Sequence, residues 1–186
     1  YEIRWPDGSR FQVRQDEKDM LAEVTHNFPQ DLKGYLKFLA DCEKRYVFGF
    51  EGLGRKPMNR LWDLVKELPG FIRLRADRSV YAHVSARVKD PKFRMALSFH
   101  PLFIGGDPRN VTSMYILVSH LEKAFGVHYV QGGVQALADS MANVVKEQGG
   151  QVLLNSNVAR ISVNNHKSDG VILENGLKLN ADIVVS

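Results

Sequence analysis

Three of the six histidines, a cluster of glycines and a lone cysteine are groups in this chain that could announce a chemical site. His100, His120 and His128 do not fall at the i, i+4 spacing that would set two imidazoles on one helix face over a metal. Each reads as a structural or exposed histidine, and no metal centre is expected. The glycines of "GFEGLGRK", Gly49, Gly52 and Gly54, run G-x-x-G-x-G with no strand before them. Both the dinucleotide fingerprint and the Walker pattern are absent, so a helix stop followed by a flexible connection is expected rather than a phosphate cradle. Cys42 is the only cysteine, which rules out an internal disulfide and a Cys-based zinc site and favours a reducing, cytoplasmic setting. No Ser-His-Asp or Cys-His order stands out.

The elements that must position any site follow from length and pattern. The 186 residues suffice for one domain, or one domain and part of a second. An apolar content of 44% and a charged content of 25% are those of a soluble globular chain. Runs such as "MYILV" are far too short to cross a bilayer. Tyr1 is neither a methionine nor the head of a signal peptide, and the sequence is expected to be an internal slice of a longer one. "YEIRWPDGSRFQV" reads as a hairpin turning at Pro6-Asp7-Gly8. A helix is expected over 16–28, ended by Pro29, and a second one follows with Leu32, Tyr35, Leu36, Leu39, Cys42 and Tyr46 along one buried stripe. A helix from about Thr112 to Phe125 buries a further apolar face.

Residues 58–95 carry nine basic against four acidic side chains, interleaved with large apolar ones. Three readings of this stretch are open: a solvated helix face, a surface for anionic lipid headgroups with Trp62, Phe71 and Ile72 entering the interface, and a nucleic-acid surface. In the tail, "VHYVQ" reads as a short strand and Gly132-Gly133 as a tight turn. A helix then buries Val134, Leu137, Met141, Val144 and Val145, and Gly149-Gly150 closes it. "QVLLNSNVARISVNN" makes a strand or two, "HKSDG" a turn, and the remainder a hairpin about Glu174-Asn175-Gly176 with a last strand. Such a series is half of an α/β domain without the βαβ unit that would hold a nucleotide.

Here the residues resemble a family. "YVQGGVQALADSMANVVKEQGGQVLLNSNVARI" with "LNADIVVS" is similar to a segment shared by flavin-dependent amine oxidases and carotenoid desaturases. "DPKFRMALSFHPLFIGGDP" and "TSMYILVSHLEKAFGVHYVQGG" narrow the resemblance to bacterial phytoene desaturases, over the whole of 1–186. It implies an α+β fold: a mainly helical substrate and membrane-associating domain with an N-terminal β-hairpin over 1–128, then an incomplete α/β portion of an FAD-binding domain over 129–186.

By the same resemblance, FAD belongs to the longer parent and is not expected on this stretch alone, which should be inactive by itself. Val158 stands where the family's backbone meets the adenine. Asp63 stands at the acid of an Arg-Asp pair considered for the chemistry, with Trp62 in place of the arginine. The substrate implied is a hydrophobic polyene, which demands a long apolar tunnel entered from a membrane. Phe99, Leu102, Phe103, Ile104 and Tyr115 are expected to line it. Trp62, Phe71, Ile72, Arg73 and Arg75 are expected to meet the membrane surface, peripheral to the inner membrane, and no nucleic-acid partner is implied. The alternatives are a lipid- or partner-binding module without catalysis, and a flavin-dependent isomerase or saturase of similar lipids.

Overall fold

The first two strands, β1 (Glu2–Arg4) and β2 (Arg10–Gln12), pair antiparallel because the residues between them supply their own turn. The Asp7 carboxylate accepts from the backbone and hydroxyl of Ser9, and Gly8 takes a φ of 82°. The computed structural model describes residues 1–186, which fall into two units, Tyr1–Val127 and His128–Ser186. The fold is mixed, mostly helical, with two small antiparallel sheets.

In the first unit, α1 (Glu17–Asn27) starts on Asp16, whose carboxylate accepts the Asp19 N–H and satisfies one of the donors a helix start leaves open. Pro29 ends it, and α2 (Leu32–Arg45) follows. The stripe expected on α2 is rotated, because Leu36 is exposed while Phe38 is fully buried. Nor does the glycine cluster break the chain. The helix widens into a π-helical segment over Tyr46–Gly52 and a 3-10 turn over Leu53–Arg55, and Gly49 lets this segment approach Met114 and Leu117. After it come α3 (Leu61–Arg73), α4 (Val80–Ser85), α5 (Pro91–Ser98), 3-10 turns over His100–Ile104 and Ser113–Ile116, and α6 (Leu117–Phe125).

The core of this unit is an aromatic cluster in which Phe28 stacks on Phe93 at 4.5 Å, with Phe11 edge-on to both and Tyr35 against Phe93. Rings so arranged add attraction beyond the area they bury. Two polar fasteners hold its helices. Buried Asp31 accepts the Lys89 and Asp90 N–H groups, both at 2.7 Å, and Asp90 in turn caps α5. Close to them the backbone of α2 runs against the carbonyl of Arg87: a Cβ on Gly34 would stand 1.9 Å from that oxygen.

The second fastener is a chain of side chains around Arg45, which is buried beneath α2. Its guanidinium donates to the carbonyls of Asp41 and Leu74, to Ser113 Oγ at 3.3 Å and to His83 Nδ1 at 3.4 Å. An arginine can only donate, so Nδ1 of His83 must be the bare nitrogen and Nε2 must carry the proton. That proton goes to Asp41 Oδ2, 3.0 Å away, which also accepts from Arg87 at 2.7 Å. Burial, with the positive charge of Arg45 beside it, lowers the His83 pKa to about 4 and keeps the ring neutral.

In the second unit, α7 (Gly133–Glu147) precedes a sheet of β3 (Val158–Asn164), β4 (Lys167–Leu173) and β5 (Lys178–Asn180), ordered β3-β4-β5. "VHYVQ" makes no strand. The β3–β4 turn lies at Asn165-His166, both at positive φ, so "KSDG" is part of β4 rather than a turn. Gly170 sits inside β4 at a φ of 145°, where a Cβ would come within 2.0 Å of the Leu179 carbonyl oxygen. The expected buried stripe of α7 is exposed instead: Val134, Leu137, Met141, Val144 and Val145 all face outward, and Leu173 is the one buried hydrophobic residue of this unit. A single helix and three short strands offer too little surface to cover that face.

Candidate functional site

The cavity of the first unit has a volume of about 230 Å³. Its floor is apolar, built from Phe11 of the hairpin, Tyr35, Phe38 and Leu39 of α2, and Leu97 of α5. One wall is polar, made of Tyr1, His100, Ser119 and Glu122. The last two lie three residues apart on α6 and therefore share a face. The 3-10 turn begins on a buried His-Pro pair, and this turns His100 inward toward α6.

Glu122 Oε2 takes two hydrogen bonds, from His100 Nε2 at 2.9 Å and from the Tyr1 hydroxyl at 3.1 Å. Burial pushes the Glu122 carboxyl up, but these bonds and the histidine's charge outweigh it and leave the group below its ordinary value. Tyr1 moves the other way, raised by burial and then by the neighbouring carboxylate. With Glu122 ionised, His100 donates from Nε2 and presents Nδ1 to Ser119 Oγ, 3.4 Å away. The Phe99 ring stacks on His100 at 4.5 Å and steadies it. Deeper in, burial pushes the Cys42 thiol up, so it is an unreactive core residue.

The structure brings none of the five expected lining residues into this cavity. Phe99 is half-buried between Tyr1, His100 and Phe103. Leu102, Phe103 and Ile104 are 60%, 69% and 59% exposed, and Tyr115 also faces outward. They form an external apolar patch along the turn that buries His100 and Pro101. The residues that do form the cavity went unread. Tyr35 and Leu39 stood out only as core, and nothing local ties His100 to a glutamate 22 positions on.

α3 presents Leu61, Leu64, Val65, Leu68 and Ile72 to the outside at spacings of three and four, with Trp62 beside them. Phe71 instead turns in, edge-on to Phe48 at 5.2 Å, and is half-buried. Arg73 and Arg75 are exposed, the latter 3.4 Å from Asp77. Asp63 sits in the first turn of α3, where its Oδ2 accepts the Arg60 backbone N–H at 3.2 Å, and Oδ1 takes no protein donor. No helix of the chain is long and apolar enough to cross a membrane.

In the second unit, Val158 opens β3 and is about half exposed. β3 is an edge strand, so one row of its backbone N–H and C=O groups has no strand partner. Such an edge fits the hydrogen-bonding rim of an adenine. The chain contains no glycine turn between strand and helix that would fit a pyrophosphate: the one strand that runs directly into a helix is β2 before α1, with no glycine between them, and the Gly49–Gly54 stretch is helical.

Comparison with known proteins is consistent along the whole chain. The family model for flavin containing amine oxidoreductases matches residues 1–186. A neurosporene-forming phytoene desaturase of Cereibacter sphaeroides is 60% identical over 186 residues, and the corresponding enzyme of Rhodobacter capsulatus is 55% identical over 187. A lycopene-forming phytoene desaturase of Paracoccus sp. is 36% identical over 186 residues. Each match covers all of this chain but only 36%, 36% and 37% of the relative.

Proposed function

Since this chain belongs to the flavin containing amine oxidoreductase family, we propose that it is an internal segment of an FAD-dependent desaturase that introduces double bonds into a carotenoid precursor such as phytoene. The observation that carries the reading is the 60% and 55% identity to two phytoene desaturases across the entire chain. The bound flavin supplies the two-electron acceptor for a hydride from the polyene. The residues of this chain have three supporting tasks. The outer edge of β3 at Val158 offers backbone groups to the adenine. The apolar patch of Phe99, Leu102, Phe103, Ile104 and Tyr115 forms one wall of the polyene path, closed by parts of the longer protein. Asp63 Oδ1 takes up the proton lost from the neighbouring carbon.

A hydrocarbon substrate dissolves in the bilayer, and α3 suits that source. Its exposed stripe lies in the interface with Trp62 and Ile72, while Phe71 anchors the helix to the unit. Arg73 and Arg75 meet anionic headgroups. The longer polypeptide, supplied with FAD and phytoene, should produce red-shifted absorbance as conjugation lengthens. A polypeptide that takes up no flavin sinks the proposal. Asp63→Asn keeps an acceptor for the Arg60 cap, so it should leave folding intact and lower turnover by about 10²-fold or more if Asp63 carries the proton. Unchanged turnover removes Asp63 from the chemistry and leaves it as a cap.

A further inference from the structure

Leu102, Phe103 and Ile104, the patch assigned to the polyene, stand on a five-residue 3-10 turn, His100–Ile104. Such a turn holds itself weakly, because its i→i+3 bonds are few and poorly aligned. Its backbone bonds stay within the segment: Leu102 donates to Phe99, Gly105 to Leu102 and Gly106 to Pro101. The three patch side chains are more than half exposed, so nothing packed over them fixes their direction. Pro101 is buried beneath them, but apolar burial is not directional. The directional tie to the rest of the unit lies at the first residue of the turn. His100 Nε2 donates to Glu122 Oε2 at 2.9 Å, and the same oxygen takes the Tyr1 hydroxyl at 3.1 Å. A second group of α6, Ser119 Oγ, lies 3.4 Å from Nδ1 of the same imidazole. The contacts close on themselves, since the Tyr1 ring is edge-on to Phe99 at 5.6 Å and Phe99 stacks on His100 at 4.5 Å. Phe103 stands edge-on to Phe99 at 5.3 Å and to His100 at 6.2 Å. The patch therefore rides on a circuit of side chains whose common acceptor, Glu122, belongs to α6.

We propose that Glu122 is a positioning residue for the polyene: through His100 and Tyr1 it fixes the turn over 100–104, and with it the direction in which Leu102, Phe103 and Ile104 face the polyene path. The ligand named here comes from the desaturase reading; the anchor does not depend on it. Hydrogen bonds to an ionised acceptor are roughly twice as strong as neutral ones, and a short exposed turn is where local opening is otherwise easiest. The Tyr1 ammonium also acts on this carboxylate. In the longer polypeptide that nitrogen is a peptide amide, so the anchor there consists of the side-chain bonds.

Amide hydrogen exchange on the chain itself tests the anchor. Glu122→Ala should speed exchange at Leu102, Gly105 and Gly106 about tenfold or more, the loss expected of a bond to a charged acceptor, while Phe38 and Cys42 of α2 stay within about twofold. Glu122→Gln, whose amide oxygen still accepts from both donors, should stay within about threefold of the unsubstituted chain. Unchanged exchange at the turn in Glu122→Ala overturns the proposal. So does an equal rise at Phe38 and Cys42 in a folded variant, which would make Glu122 a general support of the fold. If Glu122→Ala does not fold, Tyr1→Phe, which deletes one bond and keeps the ring against Phe99, should speed the turn amides about threefold, and no change overturns the anchor. In the longer polypeptide with FAD bound, Glu122→Ala should raise the KM for phytoene about tenfold and leave kcat within about twofold, the pattern of lost uniform binding. Glu122→Gln should restore the KM. A fall in kcat at unchanged KM, or a glutamine variant as impaired as the alanine one, overturns the positioning role. A longer polypeptide that takes up no flavin overturns the desaturase reading instead, while the exchange rates still decide the anchor.

Discussion

α2 and α7 are helices of 14 and 15 residues with equally clear apolar spacing, yet they end in opposite circumstances. Phe38 and Cys42 of α2 have no exposed surface, whereas Leu137, Met141 and Val144 of α7 are 47%, 63% and 50% exposed. The first unit closes around α2 with a hairpin, five further helices and two polar fasteners. The second has only three strands and leaves its helix bare. An apolar stripe therefore states that a face requires cover, without stating that the neighbouring sequence supplies it.

The contrast can be broken most forcefully at Phe93, which touches Phe11, Phe28 and Tyr35. Phe93→Ala should cost about 3–5 kcal/mol, and urea unfolding followed by near-UV circular dichroism should show the first unit losing its transition. Gly34→Ala pushes a methyl into the Arg87 carbonyl and should cost about 1–3 kcal/mol as α2 is forced off its neighbour. The same substitution at Gly8, where nothing lies within 4 Å, leaves only the strain of its positive φ.

Acid provides a graded test. His83 holds its proton less tightly in the fold, at about 4, than the ordinary 6.5, so between those values the unfolded chain binds more protons. Unfolding free energy should therefore rise with pH across this window, by at most ~1.4 kcal/mol per pH unit, and be fully present above it. Asp41, held below its ordinary value because Arg87 and His83 outweigh the effect of burial, adds a further loss at lower pH. Urea midpoints between pH 4 and 7 measure the slope, and His83→Gln should flatten it.

Weaker effects belong to the exposed faces. Leu64→Asp on α3 should leave the melting of the first unit nearly unchanged while reducing co-sedimentation with anionic liposomes several-fold. Equal binding by the variant would remove α3 from the membrane. Smallest of all, Met141→Ala on α7 should change stability by less than ~0.5 kcal/mol. A loss approaching that of Phe93→Ala would mean that α7 is covered after all.

Features with local causes were legible before any coordinates. Pro6-Asp7-Gly8 makes its own turn, and Pro29 stops α1, each acting within a few residues. The second β-turn was misplaced because Asn165-His166 reaches positive φ without a glycine, while "SDG" resembles turn chemistry and lies in a strand. Gly170 belongs there for a reason carried by a neighbour, the Leu179 carbonyl.

The N-terminal hairpin, the helices α1, α2, α6 and α7 and the family resemblance were thus legible in the sequence, because turn chemistry, periodicity and motif order act over short spans of chain, whereas α4, α5 and the π-helical continuation of α2 were not. The cavity, the protonation of His83 and the outward patch at 102–104 were decided only by tertiary structure. His100 meets Glu122, and Arg45 meets His83, across separations that no local pattern encodes. Burial and neighbouring charge, which set what those groups can do, exist only once the helices have packed.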